Sequence, residues 1–260
     1  MKIFLITQEA QLYLPELVTD LLRRRRQDLC AATVFPPYAH TTRRIFLTQL
    51  KDLYGSADFL RLVGLIAYRR VQDILGEAIG RSPRASIKRI LASANVPLWR
   101  TGSINEPSYV ERVRQKAPDV ILSLSSPQIF QDALLAVPKL GCLNYHSGLL
   151  PRHRGLLAPF WALAESVPQT GVTVHLMTPK IDHGPIVAQR TFEVRSDDTL
   201  HSLCQRSISV GMEVLHDALE RMQTGRYDPS VIPDSSMGSY RGFPTAADAQ
   251  KFRLAGRKFF

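Results

Sequence analysis

Three short runs in this chain, Lys2–Thr7, Leu29–Phe35 and Pro118–Ser123, are apolar at consecutive positions instead of alternate ones. Successive side chains of a strand point to opposite faces, so such a run suits a strand covered on both sides. Around them, apolar residues recur at helical spacing in Leu14–Arg26, Pro107–Lys116, Ala158–Glu165 and Thr199–Met222. Two further strands are expected at Gly171–Met177 and Ile186–Phe192, with a loop and helix over Ser125–Ala136. Strand–helix alternation of this kind predicts an α/β fold: an open, mostly parallel sheet with helices on both faces. In such sheets ligands bind beyond the carboxyl ends of the strands. A chain of 260 residues with 45% hydrophobic content can bury one large core.

Two regions stand outside the alternation. Residues 41–94 read as helical throughout and carry Arg43, Arg44, Arg61, Arg69, Arg70, Arg81, Arg84, Lys88 and Arg89. They are expected to form a helical insertion or cap over one sheet edge. A membrane, a nucleic acid or a second subunit are the lesser readings of that basic surface. Residues 228–260 hold turn formers and a basic, aromatic end, and are expected to pack as a tail on a domain spanning 1–227. The net charge of +10 favours anionic partners. The run Arg23–Arg26 ends a helix, where cations complement the helix dipole, and the simplest reading is a solvated helix end. Cys30, Cys142 and Cys204 show neither a disulfide framework nor zinc-ligand spacing. The segment Ala57–Tyr68 is too short and too interrupted for the roughly 20 residues of a membrane span. A reducing, cytoplasmic setting follows as the expectation.

Chemistry concentrates in Gly141–His146. This run reads as a strand whose Asn144 and His146, two residues apart, share a face. A basic loop follows, Leu149-Leu150-Pro151-Arg152-His153-Arg154-Gly155. An acid, Asp182, lies downstream in a turn between two strands, where it can return to that face. An amide aimed at a carbonyl oxygen can stabilise an oxyanion, and a carboxylate beside an imidazole raises its pKa and orients it. With no G-x-S-x-G, the trio suggests acyl transfer in which a substrate amine or water attacks. The sequence Thr7–Gln11 lacks the glycines of a dinucleotide-binding turn. His153 sits in the basic loop with a substrate-binding reading open, whereas His175 and His183 read as structural or solvent-facing. No histidine spacing supports a metal site.

These segments, together with Trp161-Ala162-Leu163, Thr170–Met177 and Ile181–Ile186, resemble the 10-formyltetrahydrofolate-dependent formyltransferases. The resemblance runs clearly from about Pro118 to Phe192. It implies a Rossmann-like sheet and assigns the catalytic trio to Asn144, His146 and Asp182. On that pattern Asn144 and His146 hold the formyl carbonyl, while Asp182 keeps His146 protonated and helps relay a proton from the attacking amine to the departing folate nitrogen. The pterin is expected between Ser125–Phe130 and Met177–Ile181, with Gln128, Ile129 and Ile181 as cofactor contacts. Arg152 and Arg154 are the expected contacts to the amine substrate. The chain departs from the family's frequent pattern at His146-Ser147-Gly148, at Asp182-His183-Gly184 and in its glycine-free first turn.

Length and order then narrow the acceptor. The tRNA enzymes of the family add a C-terminal barrel, the deformylases an N-terminal regulatory domain, and the purine-pathway enzymes lack a helical stretch like 41–94. The expectation is transfer from 10-formyltetrahydrofolate to a primary amine of a small molecule, such as a sugar nucleotide or another phosphorylated amine, with no metal. Its partners would be that amine and, at most, a second copy in a homodimer, with nucleic acid disfavoured. The rival readings are hydrolysis of the formyl donor by the same trio and a catalytically silent module that binds nucleic acid or membrane.

Overall fold

The computed structural model describes residues 1–37, 42–81, 83–230, 232, 234 and 238–260. Residues 41 and 82 of the expected helical stretch and part of the expected tail lie outside them. In chain order the elements are β1 (Ile3–Gln8), α1 (Leu14–Arg25), β2 (Leu29–Phe35), α2 (Arg43–Ala78), α3 (Ile87–Ser93), β3 (Leu98–Trp99), α4 (Pro107–Gln115), β4 (Val120–Leu124), α5 (Asp132–Leu135), β5 (Gly141–His146), β6 (Arg154–Gly155), α6 (Ala158–Ala164), β7 (Gln169–Leu176), β8 (Ile186–Glu193), α7 (Leu200–Thr224), β9 (Tyr240–Arg241) and α8 (Ala246–Leu254).

Seven strands form one sheet in the order β3-β2-β1-β4-β5-β7-β8. The first five run parallel, and β7 and β8 close the far edge antiparallel. The expected α/β architecture is therefore present, with the continuous apolar runs in the central strands. One face buries Ile3, Leu5, Leu122, Leu143 and Val174 beneath α1, α3 and α7. The other buries Phe4, Ile6, Ile121 and Cys142 beneath α4 and α5. A third cluster joins α6 and the start of α7 to Leu53, Phe252 and Phe259. It fastens the insertion and the C-terminal residues to the domain.

Local sequence explains the long elements. Pro15 begins α1, and its leucines line the core face. Thr199 and Ser202 cap α7 reciprocally, and Gly225 ends it in the left-handed conformation. Gly211 lets α7 lie against Tyr145, because a Cβ there would stand 2.1 Å from the Tyr145 hydroxyl oxygen. That hydroxyl donates to the Ser207 carbonyl at 2.9 Å, so the ring is tethered. Gly211→Ala is therefore expected to lower stability by about 2 kcal/mol through overpacking. Chemical denaturation tests this, and a variant as stable as the parent would contradict it.

Two expectations need revision. Residues 41–94 are not one helical run: Gly55 (φ 71°, ψ 169°) breaks α2, and α3 forms after a non-helical connection. Moreover, Ile87, Ile90 and Leu91 of α3 belong to the main core, so α3 is part of the sheet's helical layer. The arginine run is also more than a solvated helix end. Arg24 reaches Asp20 and Glu213, Arg25 reaches Asp28 and Gln223, and Arg26 donates to the carbonyls of Ala94 and Asn95. These bonds tie the end of α1 to α7 and to the turn before β3.

Candidate functional site

Alternation along β5 sends Leu143 and Tyr145 into the core under α7, and Cys142, Asn144 and His146 to the opposite face. Pairing with β7 sets Asn144 opposite His175 and His146 opposite Thr173. Because Val172 and Val174 are in the α7-side core, Thr173 and His175 share the face of Asn144. Here the sheet is roofed by two loops, 147–153 and 177–185. The second starts at the far end of β7 and folds back over the sheet. Its ends are tied by Met177 N–H donating to Cys142 O (2.7 Å) and Leu176 N–H to Pro185 O (2.9 Å).

Asp182, in left-handed backbone conformation (φ 53°), carries the carboxylate into this space. Its Oδ2 accepts from the Gly155 N–H at 2.7 Å and lies 3.7 Å from His146 Nδ1. Its Oδ1 lies 3.3 Å from His175 Nε2 and 3.4 Å from Asn144 Nδ2. Asn144 is itself oriented, since its Oδ1 accepts from the Ser123 hydroxyl at 3.0 Å, leaving the amide nitrogen toward Asp182 and His175. His146 Nε2 lies 3.0 Å from the carbonyl of His153, which as a donor it satisfies. The structure thus brings Asn144, His146 and Asp182 together, His146 buried and the other two partly so.

Electrostatics sets their protonation. Burial by itself would raise the Asp182 pKa, but hydrogen bonding from His175, the nearby imidazoles and the Gly155 N–H overcome it and hold the group at about 2. His146 moves the opposite way to expectation. Its burial lowers the pKa more than Asp182 raises it, so at neutral pH the ring is neutral. The 3.7 Å separation from Asp182, beyond hydrogen-bond length, fits that result. Such a ring can take a proton from an attacking group, with the carboxylate stabilising the imidazolium formed.

Of the two readings of His175, structural or solvent-facing, the second needs correction. It is buried, touches both Asn144 and Asp182, and is held through Nδ1 by the Leu176 carbonyl at 2.8 Å. The polar pair Thr173 and His175, spaced by two on an otherwise apolar strand, was the available signal. Thr173 acts on the backbone instead. Its hydroxyl donates to Gly148 O (2.7 Å), accepts from Leu150 N–H (3.2 Å) and accepts from Gln189 (2.8 Å), which pins the loop after β5. His175→Gln should weaken the hold on the Asp182 charge, moving its pKa up, and reduce turnover by about 10-fold or more, the worth of one hydrogen bond to a charged group. A pH–rate profile checks this; an unshifted acid limb would count against it.

The remaining candidates are more dispersed. Gln128 lies beside the site loop, but its amide is engaged at both ends, accepting from Ile104 N–H (2.8 Å) and donating to Gly102 O (2.9 Å). Ile129 and Ile181 are exposed, at 62% and 41%. Arg152 is exposed in the turn after Pro151. Arg154 pairs as β6 with β9, donates to Gly238 O at 3.1 Å, and has a buried Nε with no hydrogen-bond partner among the described residues. His153 is turned inward, with Nε2 2.9 Å from Glu165 Oε2, so it braces the loop whose carbonyl accepts the hydrogen bond from His146 Nε2. Burial lowers the His183 pKa, and Arg154 and Lys180 lower it further, which marks a positive rim beside Asp182.

Comparison with known proteins places this geometry. A family model described as "Formyl transferase" matches residues 75–219. A methionyl-tRNA formyltransferase of Pelobacter propionicus is 34% identical over 149 residues, covering 57% of this chain and 47% of that protein. Its counterpart from Trichlorobacter lovleyi is 33% identical over the same lengths and shares. The chain thus spans about half the length of these curated relatives. Among solved structures, an N-formyltransferase from Helicobacter canadensis, in complex with folinic acid and dTDP-3-aminofucose, superposes with a TM-score of 0.59 at 15% identity, covering 93% of this chain and 71% of that one. A glycinamide ribonucleotide transformylase from Symbiobacterium toebii gives 0.58 at 20% identity, covering 87% and 89%. With the family pattern spanning more than half of its residues, and a site of amide, imidazole and carboxylate within the matched region, this chain belongs to the formyl transferase family.

Proposed function

We propose that the chain transfers a formyl group from 10-formyltetrahydrofolate to a primary amine, with Asn144, His146 and Asp182 as the reacting groups. The convergence of an oriented amide, a neutral buried imidazole and an ionised carboxylate on one sheet face carries this reading. In it, the Asn144 N–H groups stabilise the oxyanion formed as the amine nitrogen bonds to the formyl carbon. His146 accepts the proton that the amine nitrogen loses, and Asp182 holds the resulting charge. The proton then passes to the folate nitrogen as its bond to the formyl carbon breaks, leaving the formylated amine and tetrahydrofolate. Exposed Ile129 and Ile181 suit the face of a flat heterocycle, whereas Gln128 would have to exchange two backbone hydrogen bonds to reach it.

The acceptor is proposed to be a small anionic amine, such as a sugar nucleotide, held by Arg152, Arg154 and the Lys180–His183 rim. The sugar nucleotide in the Helicobacter canadensis relative supports this reading. A second reading, an aminoacyl-tRNA acceptor, is favoured by the names of the 33–34% identical relatives. Incubation with the formyl donor and separate pools of amino-sugar nucleotides, glycinamide ribonucleotide and methionyl-tRNA, followed by mass spectrometry for formylated products, separates them. Formate release without any formylated amine would assign hydrolysis instead and overturn the transfer reading.

A further inference from the structure

The second half of α2, after the break at Gly55, presents an apolar face that stays exposed among the described residues. Leu60, Val63, Val71, Ile74, Leu75 and Ile79 are between 43% and 69% exposed. The opposite face of the same helix docks on the domain: Leu62 and Asp73 are buried, Asp73 caps Arg84 N–H and Ala85 N–H, and Arg69 donates to Gln11 O. The stripe therefore points away from the protein. Isolated exposed apolar residues are ordinary, but a continuous row of this length on one helix marks an interaction surface.

We propose that this stripe is a self-association surface on which two copies of the chain pair their α2 helices antiparallel about a twofold axis near residue 69. The row Leu60, Gly64, Ala67, Val71, Ile74, Ala78 alternates spacings of four and three, the period of a coiled-coil seam. Antiparallel pairing about that axis sets Leu60 against Ala78, Ile74 against Gly64 and Val71 against Ala67. Each large side chain meets a small one, so the row is complementary to itself, as an isologous interface requires. The seam carries no charge. The six exposed residues and Tyr68 present on the order of 700 Å² per copy, so the pair would bury up to about 1,400 Å², within the range of a standard-size interface. Arg61, Arg70 and Arg81 on the flanks would also suit an anionic membrane surface. The small residues along the centre of the row argue for a helix as the occupant, because they form recesses that only fixed knobs fill. This inference stands apart from the proposed reaction.

The test uses the full chain. Sedimentation across a wide concentration range should show a monomer–dimer equilibrium, and Ile74→Asp should raise its dissociation constant ~100-fold with unchanged circular dichroism. Register is read by oxidative cross-linking against the parent, whose own cysteines supply the background. Tyr68→Cys, which falls beside its own copy, should form a disulfide dimer. Leu60→Cys should not, because its copy lies about 27 Å away along the helix. A monomer at all concentrations, cross-linking at Leu60→Cys equal to that at Tyr68→Cys, or a monomer that binds phosphatidylserine vesicles through the stripe would each overturn the proposal.

Discussion

Asp182→Asn is expected to reduce the proposed formyl transfer by roughly 10³-fold and to cost about 2 kcal/mol of stability at neutral pH. Among the described residues, the polar groups that reach this carboxylate within 3.4 Å do so through nitrogen: the Gly155 N–H, His175 Nε2 and Asn144 Nδ2. An asparagine would turn one acceptor into a donor among donors, leaving a buried conflict in addition to the lost charge. The stability part has a definite sign. Asp182 titrates at about 2 in the folded protein against an ordinary 3.8, so between those values the unfolded chain binds more protons. Its contribution is complete above 3.8 and is lost as pH falls through about 2. His146 acts in the same direction at higher pH. Its folded pKa is depressed below 6.5, so acidification below 6.5 protonates the unfolded chain first and destabilises the fold. Denaturation of parent and variant from neutral to strongly acid pH should show their difference shrinking. A variant within tenfold of parental turnover would remove Asp182 from the proposed mechanism.

The parts of this site visible in the sequence were those set by local periodicity. Asn144 and His146 lie two apart on a strand with apolar neighbours, and strand alternation alone put them on one face. Asp182 was marked by its turn and by family resemblance, while its route back over the sheet was not. That route depends on β7 running antiparallel to β5, which places the 177–185 loop at the opposite end of the strand from His146. His175 was missed because its opposition to Asn144 is a matter of register between strands some thirty residues apart. The Gly155 N–H was invisible for a deeper reason: it is a backbone group, and its placement depends on the pairing of Arg154–Gly155 with Tyr240–Arg241. Contacts between residues so distant in sequence leave no local pattern. By contrast α8 did leave one, since Thr245 and Asp248 form a reciprocal cap, a spacing present in the sequence within the expected C-terminal tail. The protonation of His146 was misjudged because a carboxylate neighbour can be inferred from sequence, whereas complete burial cannot.

Gly184→Ala should be the most damaging single-methyl change near the site. A Cβ at this position would lie 1.7 Å from the Leu176 carbonyl oxygen and 2.8 Å from its carbon, both backbone atoms of β7. No rotamer relieves that overlap, so the 177–185 loop has to move as a unit, although Leu176 N–H is bonded to Pro185 O beside it. Overpacking against backbone is expected to cost about 3 kcal/mol. The functional loss should be larger than stability alone implies, because Asp182 is two residues upstream and its separations from Asn144, His146 and His175 depend on the path of this loop. A displacement of about 1 Å at a reacting group costs on the order of 100-fold. Gly242→Ala is the matched control: a Cβ there meets nothing within 4 Å, so its stability should stay within about 0.5 kcal/mol of the parent. Measuring turnover under conditions where both variants are fully folded separates misplacement from unfolding. If Gly184→Ala then works at the parental rate, the close approach of this turn to β7 does not position Asp182, and the carboxylate must be held by its hydrogen bonds alone.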